Sequence, residues 1–197
     1  MKEILRCAQD DIPDKVSPLI TQKARETRFV ITFKVLKTIP EFEHKTLFEW
    51  GPDIFQGSLY NLQWRPPDIH IVGYFEDQPV THVGLVVHDV KVGSVRLKVG
   101  GIGGVVTVPQ HQKKGFSKQC LVYSQAYIKS NFEAEFGFLF CPERLVDFYG
   151  SVGWKRITAA VLVDQSQGKV APPLNAMVLE FSKVWPKGPV DLESLPW

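Results

Sequence analysis

Hydrophobic and polar positions change their period along the chain, and each change marks an expected element. The stretch TRFVITFKVLK, from Thr27, is dense in β-branched and aromatic residues and predicts a strand. The more polar IPEFEHKTLFEW follows, with Thr38 as cap, Pro40 in the first turn and Gly51-Pro52 as stop, and predicts a helix. DIHIVGYFE and PVTHVGLVVHDV predict paired strands turning at Asp77-Gln78, and SVRLKVGGIGGVVTV predicts a long strand that contains four glycines. From Phe116 the period becomes helical. Phe116, Cys120, Leu121, Ser124, Tyr127, Ile128 and Phe132 recur at spacings of three and four and form one apolar stripe. EFGFLFC predicts a short buried strand, PERLVDFYGSVG a short helix between Pro142 and Gly153, and WKRITAAVLV and NAMVLEFSKV two closing strands. Three prolines in WPKGPVDLESLPW exclude a regular helix, so 185–197 is expected as an irregular tail, and the polar residues 1–26 as an N-terminal arm. The element order predicts one α/β domain over 1–197, a mixed central sheet of about seven strands flanked by helices.

Composition narrows the class. With 22% charged residues and a net charge of only +2, the chain lacks the basic balance of a nucleic-acid binder. Its three cysteines, Cys7, Cys120 and Cys141, are irregularly spaced without a CxxC, which argues against a disulfide framework or zinc site and for a reducing, cytoplasmic compartment. The five histidines form no HExxH, so no metal site is expected. No apolar run suits a signal peptide or a membrane span.

The candidate chemistry starts at QHQKKGFS, residues 110–117, where a strand hands over to a helix. The first amides of a helix have no partner within it and favour an anion. Gly115 permits close approach to the backbone, Ser117 is small, and Lys113, Lys114 and Lys118 add positive charge. This suits a pyrophosphate. There is no GxxxxGK[ST], and VGGIGG does not complete GxGxxG because Val106 stands at the last glycine.

The spacing of Val105, Thr107, Pro109, Gln112, Gly115 and Ser117 resembles the acetyl-coenzyme A signature of the GNAT acetyltransferase superfamily: a V-x-V-type strand end, then Q/R-x-x-G-x-G/A, here with serine last. FYGSVGW, residues 148–154, resembles the second hallmark, aromatic-Tyr-x-x-x-Gly-Phe/Trp, with Arg144 one turn earlier. The resemblance runs from Val30 to Trp154 in element order and is strong from Gly104 onward. It implies an acyl-CoA N-acyltransferase fold whose sheet splays between its fourth and fifth strands, with the pantetheine arm of acetyl-CoA in the gap. Backbone groups of Val105, Val106, Thr107 and Val108 would then meet that arm, Gln112, Lys113, Lys114, Gly115, Phe116, Ser117 and Lys118 would hold the pyrophosphate, and Tyr149 would protonate the departing thiolate. The implied activity is direct acetyl transfer to a primary amine of a small molecule in a ternary complex. No Cys–His arrangement supports an acyl-cysteine; Cys141, which closes the fifth strand, and Cys120, on the helix stripe, read as packed residues. An inactive acyl-CoA-binding sensor and an acyltransferase for a peptide amine are the alternatives.

The acceptor side carries fewer signals. Residues 94–108 contain no acid to take the amine proton; His82, His88 and His111 or a water relayed by carbonyls are candidates, and none is assigned. SVGW and the tail GPVDLESLPW resemble the aminoglycoside 2'-N-acetyltransferases, which implies Asp191, Glu193 and Trp197 as acceptor contacts; anchoring of the tail by Trp185, Leu192, Leu195 and Trp197 is the competing reading. Trp50, Phe55, Tyr60 and Trp64 fit either a second pocket wall or the core. A monomer, or a homodimer paired through an edge strand, is expected.

Overall fold

The computed structural model describes residues 31–197; the expected arm 1–26 and the beginning of the first strand lie outside the described residues. The chain forms β1 (Thr32–Leu36), α1 (Glu41–Phe48), β2 (Ile69–Phe75), β3 (Gln78–Val92), β4 (Val95–Thr107), α2 (Phe116–Asn131), β5 (Phe136–Cys141), α3 (Val146–Gly150), β6 (Lys155–Arg156), β7 (Val161–Gln165), β8 (Gly168–Val170), β9 (Asn175–Glu180) and β10 (Val190–Asp191). Among the described residues the mixed sheet has ten strands, in the order β6-β9-β5-β4-β3-β10-β7-β8, with β2 also on β3 and β1 beyond it. The expected count of about seven falls short because β6, β8 and β10 are two or three residues long and carry no period to read.

Local chemistry accounts for other shifts. Helix α1 begins after Pro40, whose φ of −61° suits the entry, and no side chain caps it, so Thr38 is not its cap. The hairpin turns at Glu76-Asp77, not Asp77-Gln78, with φ of 50° and 60°, the paired positive values of a tight two-residue turn. The stretch WKRITAAVLV splits: Lys155–Arg156 lies on β9, whereas Val161–Gln165 crosses to β10. The tail is irregular apart from β10, which pairs antiparallel with Val92 and Lys91 of β3 and parallel with β7.

Two features position the site. Strands β4 and β5 run parallel and pair only from Val99–Ile102 to Phe136–Leu139. Beyond that, β4 keeps β3 and β5 keeps β9 as partner, and the sheet opens between them. One face is covered by α2, whose buried Cys120, Leu121 and Ile128 pack with Ile71, Val83, Leu85 and Ile102. Gly100 admits this helix, because a Cβ there would overlap Ile128. On the opposite face the tail folds back, and Trp197 lies over Gly101 and Gly103; a Cβ on Gly103 would stand 2.6 Å from the Trp197 main-chain carbon. The segment before β2 is fastened by the Gln165 side chain, which accepts from the Gln63 N–H at 2.8 Å and donates to the Gln63 carbonyl at 3.1 Å.

Candidate active site

A cavity of about 530 Å³ occupies the opening between β4 and β5. Its floor is Ile102, Gly103, Gly104 and Val105, and Cys141 and Tyr149 stand on the β5 side. Phe55, Tyr60 and Trp64 form the far wall, and Trp197 closes one end. The floor is irregular for a defined reason. Gly84 faces Gly103 and His82 faces Val106, so Gly104 and Val105 together oppose Val83 alone, a bulge that needs the +56° φ of Gly104. From Gly103 on, β4 turns an edge that β5 no longer covers toward the cavity.

Tyr149 is 5% exposed, and its ring lines the cavity. Its carbonyl accepts from the Val152 and Trp154 N–H groups, which holds the end of α3 against the site. Among the described residues its hydroxyl has no hydrogen-bond partner. Burial, reinforced by the nearby Cys141 thiol, holds the phenol above its usual value, so it carries a proton at neutral pH. Burial likewise pushes the Cys141 thiol up to about 11, with Glu143 adding to it, and its Sγ donates to Met177 Sδ at 3.5 Å. It is a poor nucleophile in that state. Cys120 is buried under α2 and donates to the Ile71 carbonyl, a packed residue as its stripe position implied.

At the handover to α2, Gly115 is the cap residue with φ of 81°, no side chain caps the helix, and a Cβ there would meet nothing within 4 Å. No side chain therefore covers the start of this helix, and the space beside Gly115 is open. The side chains around it divide. Lys113, Lys114 and Lys118 are exposed. Phe116 is buried among Val108, Val80 and Tyr74, and the Gln112 amide is spent on the Thr107 carbonyl at 3.0 Å. The Val108 N–H donates to Val80, and Val106 and Thr107 pair with β3. Of the four expected strand contacts, only Val105 lines the cavity.

Ser117 departs from the small glycine or alanine of the resembled signature, and the structure shows where its hydroxyl goes. Thr81 Oγ1 donates to the Val106 carbonyl at 2.8 Å, so its contact with Thr107 Oγ1, also 2.8 Å, needs Thr107 as donor. Thr107 thus accepts from Ser117 Oγ at 2.5 Å. Turned back onto the strand, the serine neither crowds the open turn nor offers it a proton.

The three histidines lie outside the cavity lining. His82 is 2% exposed and bonded to Gly104 and His70. His88 donates from Nε2 to the Leu192 carbonyl at 2.9 Å and accepts from Arg65 at Nδ1. His111 sits beside Lys114, Phe75 and Phe116. The acidic tail residues are elsewhere too. Asp191 pairs with Lys169 at 2.6 Å, and Glu193 pairs with Arg96 at 2.6 Å in a separate depression. Of the three tail residues, Trp197 alone reaches the cavity. Trp50 stays outside, its indole donating to the Leu47 carbonyl. Sequence reasoning missed the packing of Gly101 and Gly103 under Trp197; glycines two apart in a strand were the available signal, because they clear one face. Among the described residues no group of side chains is arranged to hold a metal, and no helix is long and apolar enough to cross a membrane.

Comparisons with known proteins agree with this geometry. The chain resembles a chain of the NatC complex, solved bound to Gag peptide and CoA, at 13% identity, with 77% of this chain and 99% of that one covered and a TM-score of 0.52. It resembles a GNAT family acetyltransferase from Elizabethkingia anophelis, solved with acetyl-CoA bound, at 10% identity, with 77% and 98% covered and a TM-score of 0.50. At such identities these likenesses show the fold alone. No curated protein sequence matches the chain. Nothing in these matches singles out the aminoglycoside acetyltransferases. A family model described as an acetyltransferase (GNAT) domain matches residues 57–157, half of the chain, and the protein therefore belongs to the GNAT acetyltransferase family.

Proposed function

We propose that the protein is an N-acetyltransferase that moves an acetyl group from acetyl-CoA to the primary amine of a small molecule, directly and in a ternary complex. The observation that carries this reading is the pairing, at one opening in the sheet, of a protonated, unpartnered Tyr149 with the uncovered edge of β4. Bound acetyl-CoA supplies the thioester. Amides of 115–118 and the three lysines suit its phosphates; charge-assisted hydrogen bonds of about 1.5–3 kcal/mol each are enough for micromolar binding. Tyr149 holds the proton for the leaving sulfur.

The lining also constrains the acceptor. Asp53 is the side-chain carboxylate among the described lining residues, and its oxygens already accept from the Gly57 N–H, the Ser58 N–H and the Ser58 hydroxyl. A polycation finds no free side-chain carboxylate among them, whereas the aromatic wall of Phe55, Tyr60 and Trp64 suits an amine with an apolar body. Among the described lining residues no imidazole or side-chain carboxylate is free to take the amine proton, and in this reading water takes it.

Calorimetric titration with acetyl-CoA tests the donor site. Wild type binds in the micromolar range. Gly115→Ala and Gly115→Glu share the same backbone strain, but only the glutamate projects charge into the open turn, so affinity falls far more for Glu than for Ala. Thiol release is then followed over a panel of arylalkyl amines, aminoglycosides and peptides. Binding without release on any amine identifies a sensor, and absence of binding overturns the proposal.

A further inference from the structure

His82, only 2% exposed, is a buried polar group beside the cavity floor, and the transfer chemistry above makes no use of it. Its Nδ1 lies 2.7 Å from the Gly104 carbonyl oxygen. A carbonyl only accepts, so Nδ1 carries the ring proton. Nε2 is then the bare nitrogen, and it lies 3.0 Å from His70 Nδ1, which must be the donor. Burial drives the basicity of His82 down to about 3, with His70 opposing protonation as well, and this keeps the ring neutral in that single tautomer. Phe48 closes over the ring edge-on, with centroids 5.0 Å apart.

The carbonyl held this way belongs to the first residue of the bulge. In a trans peptide the oxygen and the following N–H point in opposite directions. The Gly104 oxygen turns toward His82 on β3, so the Val105 N–H turns toward the other edge of β4. That edge is the one β5 abandons after the Ile102–Leu139 pair, and Gly104 and Val105 both line the cavity there. A glycine at φ of +56° has other backbone conformations open to it, so the direction of this peptide needs an external hold.

We propose that His82, kept in its tautomer by His70, is a positioning residue that aims the Val105 N–H at the carbonyl of a bound thioester. The proposal rests on the acetyl-transfer reading. The amide would meet the negative charge that develops on the thioester oxygen, and its direction, not the affinity for the donor, is what His82 sets.

The test uses acetyl-CoA isotope-labelled at its carbonyl carbon, bound to the full chain, with the carbonyl stretch read by isotope-edited infrared spectroscopy. Wild type lowers the stretch relative to free acetyl-CoA. His82→Leu binds with nearly unchanged affinity, returns the stretch toward the free value, and lowers kcat about a hundredfold at similar KM, the size of loss typical for one such donor. His82→Asn, whose amide nitrogen reaches the Nδ1 position, restores both; His82→Gln, which reaches only the Nε2 position, does not. If the leucine variant fails to fold, the contrast between Asn and Gln decides. A wild-type shift retained in His82→Leu, or equal behaviour of Asn and Gln, overturns the role of His82. Binding with an unshifted wild-type stretch also overturns it, whereas no binding at all overturns the acetyl-transfer reading beneath it.

Discussion

Gly101 is the point at which the tail and the sheet can be set against each other. A Cβ at this position would stand 2.6 Å from Trp197 Cζ2 and overlap Cε2 and Nε1 more closely still. The indole is packed beside Phe138, His88 and Phe140, with ring centroids 6.0, 5.9 and 6.5 Å away. Gly101→Ala must therefore displace the ring from this packing toward the cavity. Burial of about 150–250 Å² at roughly 25 cal/mol per Å² is about 4–6 kcal/mol, and truncations of buried tryptophan to alanine cost about 3–5. The indole N–H reaches the Phe138 carbonyl only at 3.5 Å, so that bond adds little. Gly101→Ala should thus destabilise by about 3–5 kcal/mol, close to the cost of Trp197→Ala. With the indole already gone, the same methyl has room and replaces a glycine in a strand interior, a gain of about 0.5–1 kcal/mol. Urea unfolding followed by circular dichroism on both single variants and the double variant measures the cycle. The two single losses correspond to roughly 6–20 °C in melting temperature for a domain of this size. Additivity within about 0.5 kcal/mol would refute the packing argument.

Tyr149→Phe should lower kcat by about 10²–10⁴ while leaving the acetyl-CoA Kd unchanged, and unchanged turnover by stopped-flow thiol release would remove the phenol from the mechanism. If water takes the amine proton as proposed, kcat/KM should rise about tenfold per pH unit up to the pKa of each acceptor amine, with the shoulder moving from amine to amine; a shoulder at one pH for all of them would require a titrating enzyme group. His82 is held near 3 in the fold and titrates near its ordinary 6.5 when unfolded, so the unfolded chain binds more protons between those values. Its contribution to stability is complete above about 6.5 and is lost as the pH falls toward 3, with a slope approaching 1.4 kcal/mol per unit. Urea titrations across that window should show the slope reduced in His82→Asn, and equal slopes would contradict a neutral buried ring.

The elements that the sequence announces are those whose pattern is local. The stripe from Phe116 to Phe132 returned as α2, and the long glycine-bearing strand as β4, because spacing of three and four, or a β-branched run, commits the backbone wherever the rest of the chain lies. The loop before α2 and FYGSVGW are legible for the same reason: each is a short motif whose geometry is its own. What stayed hidden depends on distant partners. Two residues at 190–191 become a strand only because β3 and β7 flank them, and no periodicity precedes that. Asp191 and Glu193 read as pocket acids, yet lysine and arginine side chains brought from Lys169 and Arg96 claim them. His82 was legible as a histidine in a strand, but its partner His70 sits on the neighbouring strand.

The Gln165 fastening bears on how this protein diversifies. Its amide reads the backbone N–H and carbonyl of Gln63, as a neighbouring strand would, and is indifferent to the side chains of the segment it holds. Substitutions at Tyr60 or Trp64 thus leave the wall attached. The donor half, built on β4 and α2, shares no such bond with that wall. On the proposed reading, the acceptor wall along 57–64 can change its side chains without loosening its attachment to the sheet.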